Sequence, residues 1–132
     1  MSAGRYSFTI EQGSTLDFEL AYKDSNNDPI NLTGHQGRMQ IRPAIGDSTI
    51  HITLSSSLDA DGTGLNFSGS DGLNPPTSGT IGIFISAASS SLLDFGEAVY
   101  DLEIATIDVN PVVTRLLEGK VQLSKNVTLG SF

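Results

Sequence analysis

The sequence predicts an all-β domain, an antiparallel β-sandwich of about seven to nine short strands with one short connecting helix. Three observations carry that prediction. Apolar and polar residues alternate with period two in most segments, Gly, Asn, Asp, Ser and Pro cluster between those segments, and only one stretch reads as a helix. A chain of 132 residues has room for one compact domain, here residues 1–132. At this size folding buries about two-thirds of the surface of the extended chain, so no metal or disulfide is needed for stability.

In chain order, Tyr6, Phe8 and Ile10 alternate with Ser7 and Thr9 in a first strand, which Gln12 and Gly13 interrupt. Leu16, Phe18, Leu20 and Tyr22 then alternate with Asp17, Glu19 and Ala21. Lys23 to Pro29 (KDSNNDP) is turn chemistry, because Asn and Asp tolerate left-handed backbone and bond their own main chain. Ile30 to Leu32 is expected to resume as a short strand. Met39 and Ile41 sit between Arg38, Gln40 and Arg42 in a strand that Pro43 ends. Ile50, Ile52 and Leu54 alternate with His51 and Thr53 in the next.

From Ser55 to Ser78 the chain is dominated by Ser, Gly, Asp, Asn and Pro, and it is expected to form a flexible loop around a short strand at Leu65 and Phe67. In TIGIFIS, Ile81, Ile83 and Ile85 share one face while Gly82 and Phe84 share the other, which suits a strand covered on both sides. Ala87 to Leu93 (AASSSLL) is the helix, about two turns and a connector by its length. The last quarter is a long hairpin. Tyr100, Leu102 and Ile104 oppose Asp101 and Glu103, a turn follows at Asp108, Asn110 and Pro111, and the return strand runs from about Val112 to Leu123. Gly119 to Val121 is expected to mark a bulge in that strand. The pattern suits an immunoglobulin-like or related sandwich, with a barrel as the alternative.

Fifteen acidic residues against seven basic ones give a net charge of −8, a sign that disfavours phosphate-backbone binding. There is no cysteine, which excludes a disulfide framework, a thiolate metal site and a cysteine nucleophile. No apolar run approaches the roughly 18 residues that cross a bilayer. MSAGRYSFTI lacks the charged and apolar regions of a signal peptide, so synthesis in a cytoplasm is expected.

The motifs that could carry chemistry are few. DADGTG, Asp59 to Gly64, begins like a calcium loop, yet its twelfth position is Ser70 where such a loop needs a bidentate Glu. Asp59 and Asp61 are therefore weak metal candidates, a polar turn between two strands explains the same residues, and no metal or other cofactor is expected. His51 alternates with Ile50 and Ile52, which would point its ring to solvent or an interface, and His35 lies in a turn beside Gly34. Neither suggests a nucleophile and its base. Asp17, Glu19, Asp101 and Glu103 could be imagined as paired catalytic carboxylates, but they oppose apolar residues on their strands and belong on solvated faces. Sequons at Asn31, Asn66 and Asn126 are what a Ser/Thr-rich chain produces by chance. With no tryptophan, and with Tyr6, Tyr22 and Tyr100 at apolar-periodic positions, stacking platforms for sugars are scarce.

Two blocks carry a likeness to known proteins. The first is QGSTLDFELAYKDSNNDPINLTG, where an x-Phe-x-Leu-x-Tyr strand leads through an Asn/Asp turn to a short apolar segment ending in Thr33-Gly34. The second is the closing pair, YDLEI followed by TRLLEGKVQLSKNVT. On these residues, roughly half the chain, the sequence resembles structural proteins of tailed bacteriophages, above all the N-terminal domain of phage baseplate upper proteins. The resemblance implies a non-enzymatic virion subunit, assembled in the host cytoplasm, that connects tail parts or seats fibres. It also implies multi-copy symmetric assembly with other tail, baseplate or fibre subunits, and no nucleic-acid or membrane partner. Members of that family continue into a linker and a receptor-binding region, whereas this sequence stops at Phe132, which implies the adaptor domain alone beside a separate partner. The Ser55–Ser78 loop and the chain ends are the expected contact surfaces. A capsid decoration protein shares the same features, and a carbohydrate-binding module is a weaker alternative.

Overall fold

A computed structural model describes residues 4–128. Nine strands follow in order: β1 (Gly4–Arg5), β2 (Phe8–Glu11), β3 (Leu16–Ala21), β4 (His35–Arg42), β5 (Ile52–Ser55), β6 (Gly64–Asn66), β7 (Thr80–Ile85), β8 (Glu97–Thr106) and β9 (Val113–Ser124). Among the described residues one α-helix, α1 (Ala87–Ser91), links β7 to β8, and a short 3-10 turn, Pro76–Ser78, precedes β7. The strands form two sheets rather than a barrel. The larger has the order β1–β9–β8–β4–β5 with β2 also paired to β9, and the smaller has the order β3–β7–β6. In the immunoglobulin layout one sheet carries strands B, E and D and the other G, F, C and, in variable-type domains, C′. Here β3, β7 and β6 take the first set of places and β9, β8, β4 and β5 the second, so the sandwich is immunoglobulin-like in strand order.

The core lies between the sheets. Ile41, Leu65, Ile81, Ile85, Leu102 and Val121 are all fully buried. Each contributes on the order of 1.5–3 kcal/mol relative to an exposed side chain. The alternation that predicted β8 holds residue by residue: Tyr100, Leu102 and Ile104 point inward, with Asp101 and Glu103 outward. The turn after β3 closes as its composition requires. Asp24 Oδ1 accepts the backbone N–H groups of Asn26 and Asp28, Asn27 adopts φ 65°, and Lys23 bridges to Pro29.

Three expectations are corrected. Ile30 to Leu32 does not resume as a strand. Asn31 Oδ1 bends the chain by accepting the Thr33 N–H at 2.9 Å, and the Leu32 N–H donates to the Pro76 carbonyl instead of a ladder. Leu32, 1% exposed, plugs the core as a loop residue. The bulge in β9 is at Leu116 rather than at Gly119–Val121. Leu117 pairs with Leu102 while Arg115 pairs with Glu103, so the extra residue lets Leu116 and Leu117 both pack on the core. Gly119 has another task. A Cβ there would sit 2.1 Å from the Tyr6 carbonyl oxygen, so only glycine admits the N-terminal strands to this edge. The helix, expected over Ala87 to Leu93, ends at Ser91, with Ser86 as its N-cap accepting the Ser89 N–H at 3.0 Å.

β1 and β2 run parallel to β9 in one register, from Gly4 opposite Leu117 to Glu11 opposite Ser124. Between them Ser7 Oγ accepts the Lys120 N–H, and the Tyr100 hydroxyl donates to the Tyr6 carbonyl at 2.6 Å. The Leu65–Phe67 strand is present as β6, with Phe67 just beyond it. TIGIFIS is covered on both sides as expected, since the Gly69–Ser70 backbone lies directly over Gly82.

Candidate interaction surface

The outward residues of β4, β8 and β9 form a shallow charged groove of about 750 Å³. Register places them in rows across the sheet. Arg38, Glu103 and Arg115 make one row, Gln40, Asp101 and Glu118 the next, and Arg42, Val99 and Lys120 the third. Arg38 Nε lies 2.9 Å from Glu103, and Arg115 contacts both Asp101 at 3.5 Å and Glu118 at 3.4 Å. Such exposed pairs contribute about 1 kcal/mol at most, so stability does not account for this pattern. Distribution is more telling. Arg5, Arg38, Arg42, Arg115 and Lys120, five of the seven basic residues, line the groove beside only three carboxylates. The remaining twelve acidic residues share the rest of the chain with Lys23 and Lys125.

Arg42 has no carboxylate within ion-pair distance among the described residues. Its guanidinium donates to Gln40 Oε1 and to the Asp47 carbonyl, both neutral acceptors. Arg5 has no carboxylate within ion-pair distance among the described residues. Burial raises the Asp101 carboxyl above the ordinary aspartate value and Glu103 adds to this, while Arg115 and Arg38 act in the opposite direction. The groove is thus a preformed cationic surface in which two arginines lack a carboxylate partner among the described residues.

Of the residues singled out in the sequence, Asp101 and Glu103 line this groove, while the others fall elsewhere and do not converge. Asp61 is a structural fastener. Its Oδ2 accepts the Ser86 hydroxyl at 2.5 Å and the Ser89 hydroxyl at 3.0 Å, and its Oδ1 accepts the Thr63 N–H. The Ser86 hydroxyl first, then the Thr63 groups and Ser89, hold this carboxyl well below the usual range. The Asp59 carbonyl accepts the Gly62 N–H of the same turn. Among the described residues no three His, Asp or Glu side chains gather as a metal set.

His51 corrects its expectation. The strand begins only at Ile52, leaving Ile50 exposed and His51 just before β5, and the imidazole stacks on Phe95 at 4.5 Å with Nε2 buried and without a hydrogen-bond partner among the described residues. His35 opens β4 rather than sitting in the turn, its Nδ1 3.2 Å from the Thr33 carbonyl. Asp17 and Glu19 lie outward on the smaller sheet and Asp101 and Glu103 outward on the larger, so the two pairs share no cleft. Glu19 accepts the Ser70 N–H at 2.7 Å, which ties the loop over Gly82. Asn31, Asn66 and Asn126 each hydrogen-bond the residue two places on, a turn-forming habit. Tyr6 is 48% exposed, Tyr22 half-buried and Tyr100 buried.

Two surfaces escaped sequence reasoning. The cationic groove is assembled from β1, β4, β8 and β9, whose side chains meet only through pairing. Its legible signal was the outward position of Arg38 and Arg42. The β8–β9 turn presents Ile107, Val109, Val112 and Val113, all exposed, at the far tip of the hairpin. Within the expected contact loop, Leu65 is buried and the surrounding turns are bonded internally, whereas residues 1–3 and 129–132 at the chain ends lie outside the described residues. No protein-family model matches this chain, and no curated protein matches it.

Proposed function

We propose that this chain is a non-enzymatic structural domain of a tailed-phage virion, an adaptor that joins tail or baseplate parts by protein–protein contact. The cationic groove is the observation that carries the reading, because it concentrates five basic residues on the rigid pleated face of an otherwise acidic molecule. Such a face selects and orients an acidic partner surface more than it stabilises its own fold. The likeness of the two sequence blocks to baseplate upper proteins supports the same reading. The first block spans β3 and its turn, and the second spans β8 and β9.

A reconstruction of the intact virus particle tests this. The expected result is density for the domain at the tail or baseplate, touching both a tail ring and a fibre, with Arg5 and Arg42 against a partner's carboxylates. Density on the capsid shell would make the chain a decoration protein. Absence from the particle would overturn the structural role.

A further inference from the structure

The immunoglobulin layout places strand A beside strand B, completing a sheet of order A–B–E–D. In this chain β3 stands in the B place, but β1 and β2 pair with β9 on the other sheet. Among the described residues no strand lies beside β3, so one position of the smaller sheet is open. The backbone there is available. The Tyr22 N–H donates to the Gly79 carbonyl in line with the β3–β7 register, so alternate residues Leu20, Phe18 and Leu16 bond to β7. The N–H and C=O groups of Asp17, Glu19 and Ala21 therefore point out from the free edge.

Side chains define what fits. The inward row of β3, Leu16, Phe18 and Leu20, is only half-buried, and Phe18 meets Phe8 and the exposed Tyr6 at 5.3 and 5.8 Å. That apolar strip would be covered by the inward side chains of an added strand. The outward row carries the carboxylates of Asp17, which is unengaged among the described residues, and Glu19, one oxygen of which holds the Ser70 N–H, and this negative row protects the edge against uncharged strands and favours cationic neighbours.

We propose that β3 receives an extended segment of a partner protein in which apolar side chains alternate with Lys or Arg, completing the sheet by strand addition. The proposal rests on the chain being an interaction scaffold, yet it is tested on the isolated protein, so it can fail while the location of the chain on a particle stands. The probe is a blocked synthetic peptide alternating valine with lysine, compared with one alternating valine with glutamate. Amide hydrogen exchange read by NMR is the measurement. At millimolar lysine peptide the amides of Asp17, Glu19 and Ala21 should slow by roughly tenfold or more, and the glutamate peptide should leave them unchanged.

Two variants sharpen the test. Ala21→Pro removes an outward N–H from an edge strand without touching the β7 ladder, so the protein should stay folded by circular dichroism and lose the response. Asp17→Lys, at an exposed site opposite Phe84, should shift preference toward the glutamate peptide. Equal slowing by both peptides, slowing confined to other strands, or no slowing at all would overturn the proposal. Protection of the three amides in the free protein, accompanied by dimerisation, would overturn it too and make a second copy the occupant.

Discussion

Tyr100 joins two parts of the chain 94 residues apart through one hydrogen bond, from its hydroxyl to the Tyr6 carbonyl. Burial first, and then the neighbouring Tyr6, raises its phenol from 10.0 to about 12. The native state thus keeps a proton that the unfolded chain releases near the ordinary value. Stability is full below that value and falls as pH rises toward about 12. Tyr100→Phe should cost about 1 kcal/mol at neutral pH and flatten this alkaline limb, and urea unfolding across pH reads both. A titration of tyrosine absorbance on the parent protein should show one phenol ionising late. The role of Tyr100 as a buried rim residue was legible from period two, but its partner was not, since nothing local marks Tyr6 as an acceptor. Asp61 is similar. Its turn was readable in DADGTG, while its grip on Ser86 and Ser89 spans 25 and 28 residues and depends on how β6 and β7 pair.

Among the elements, β8 and β9 were the most readable, because β8 alternates throughout, β9 alternates beyond its bulge, and the turn between them carries Asp, Asn and Pro. The N-terminal strands were readable as strands only. Their parallel attachment to β9 depends on Gly119, whose absent side chain looked like a bulge signal and serves instead as space for the Tyr6 backbone. Ile30 to Leu32 misled for a local reason: three residues of strand-like composition were overruled by the Asn31 side chain. Gly119→Ala should destabilise the domain by about 1–3 kcal/mol, because the Cβ meets a backbone oxygen that no rotamer change can move. Hydrogen exchange should localise the damage, with β2 amides losing protection before those of β4 or β7. Uniform loss across both sheets would show that β1 and β2 are not the part displaced.

For the whole molecule, the sandwich class and the approximate strand count followed from pattern, while the division into sheets did not. Strand partners here include residues 113 apart, and alternation reports a face without naming the neighbour that covers it. The same long separations make folding slow relative to helical domains of this size. A chain beginning at Gln12 would lack the fully buried Ile10 and leave β9 without its outer partners. It should unfold at a markedly lower urea midpoint than the full chain, measured by circular dichroism. An unchanged midpoint would instead make β1 and β2 an appendage. Their orientation has a mechanical consequence. Because β1 and β2 run the same way as β9, the polypeptide enters this seam at one end and leaves it at the other. Pulling on the chain across the seam would load its hydrogen bonds in shear, all together, so the domain would hold under a tension that peels an antiparallel hairpin open one rung at a time.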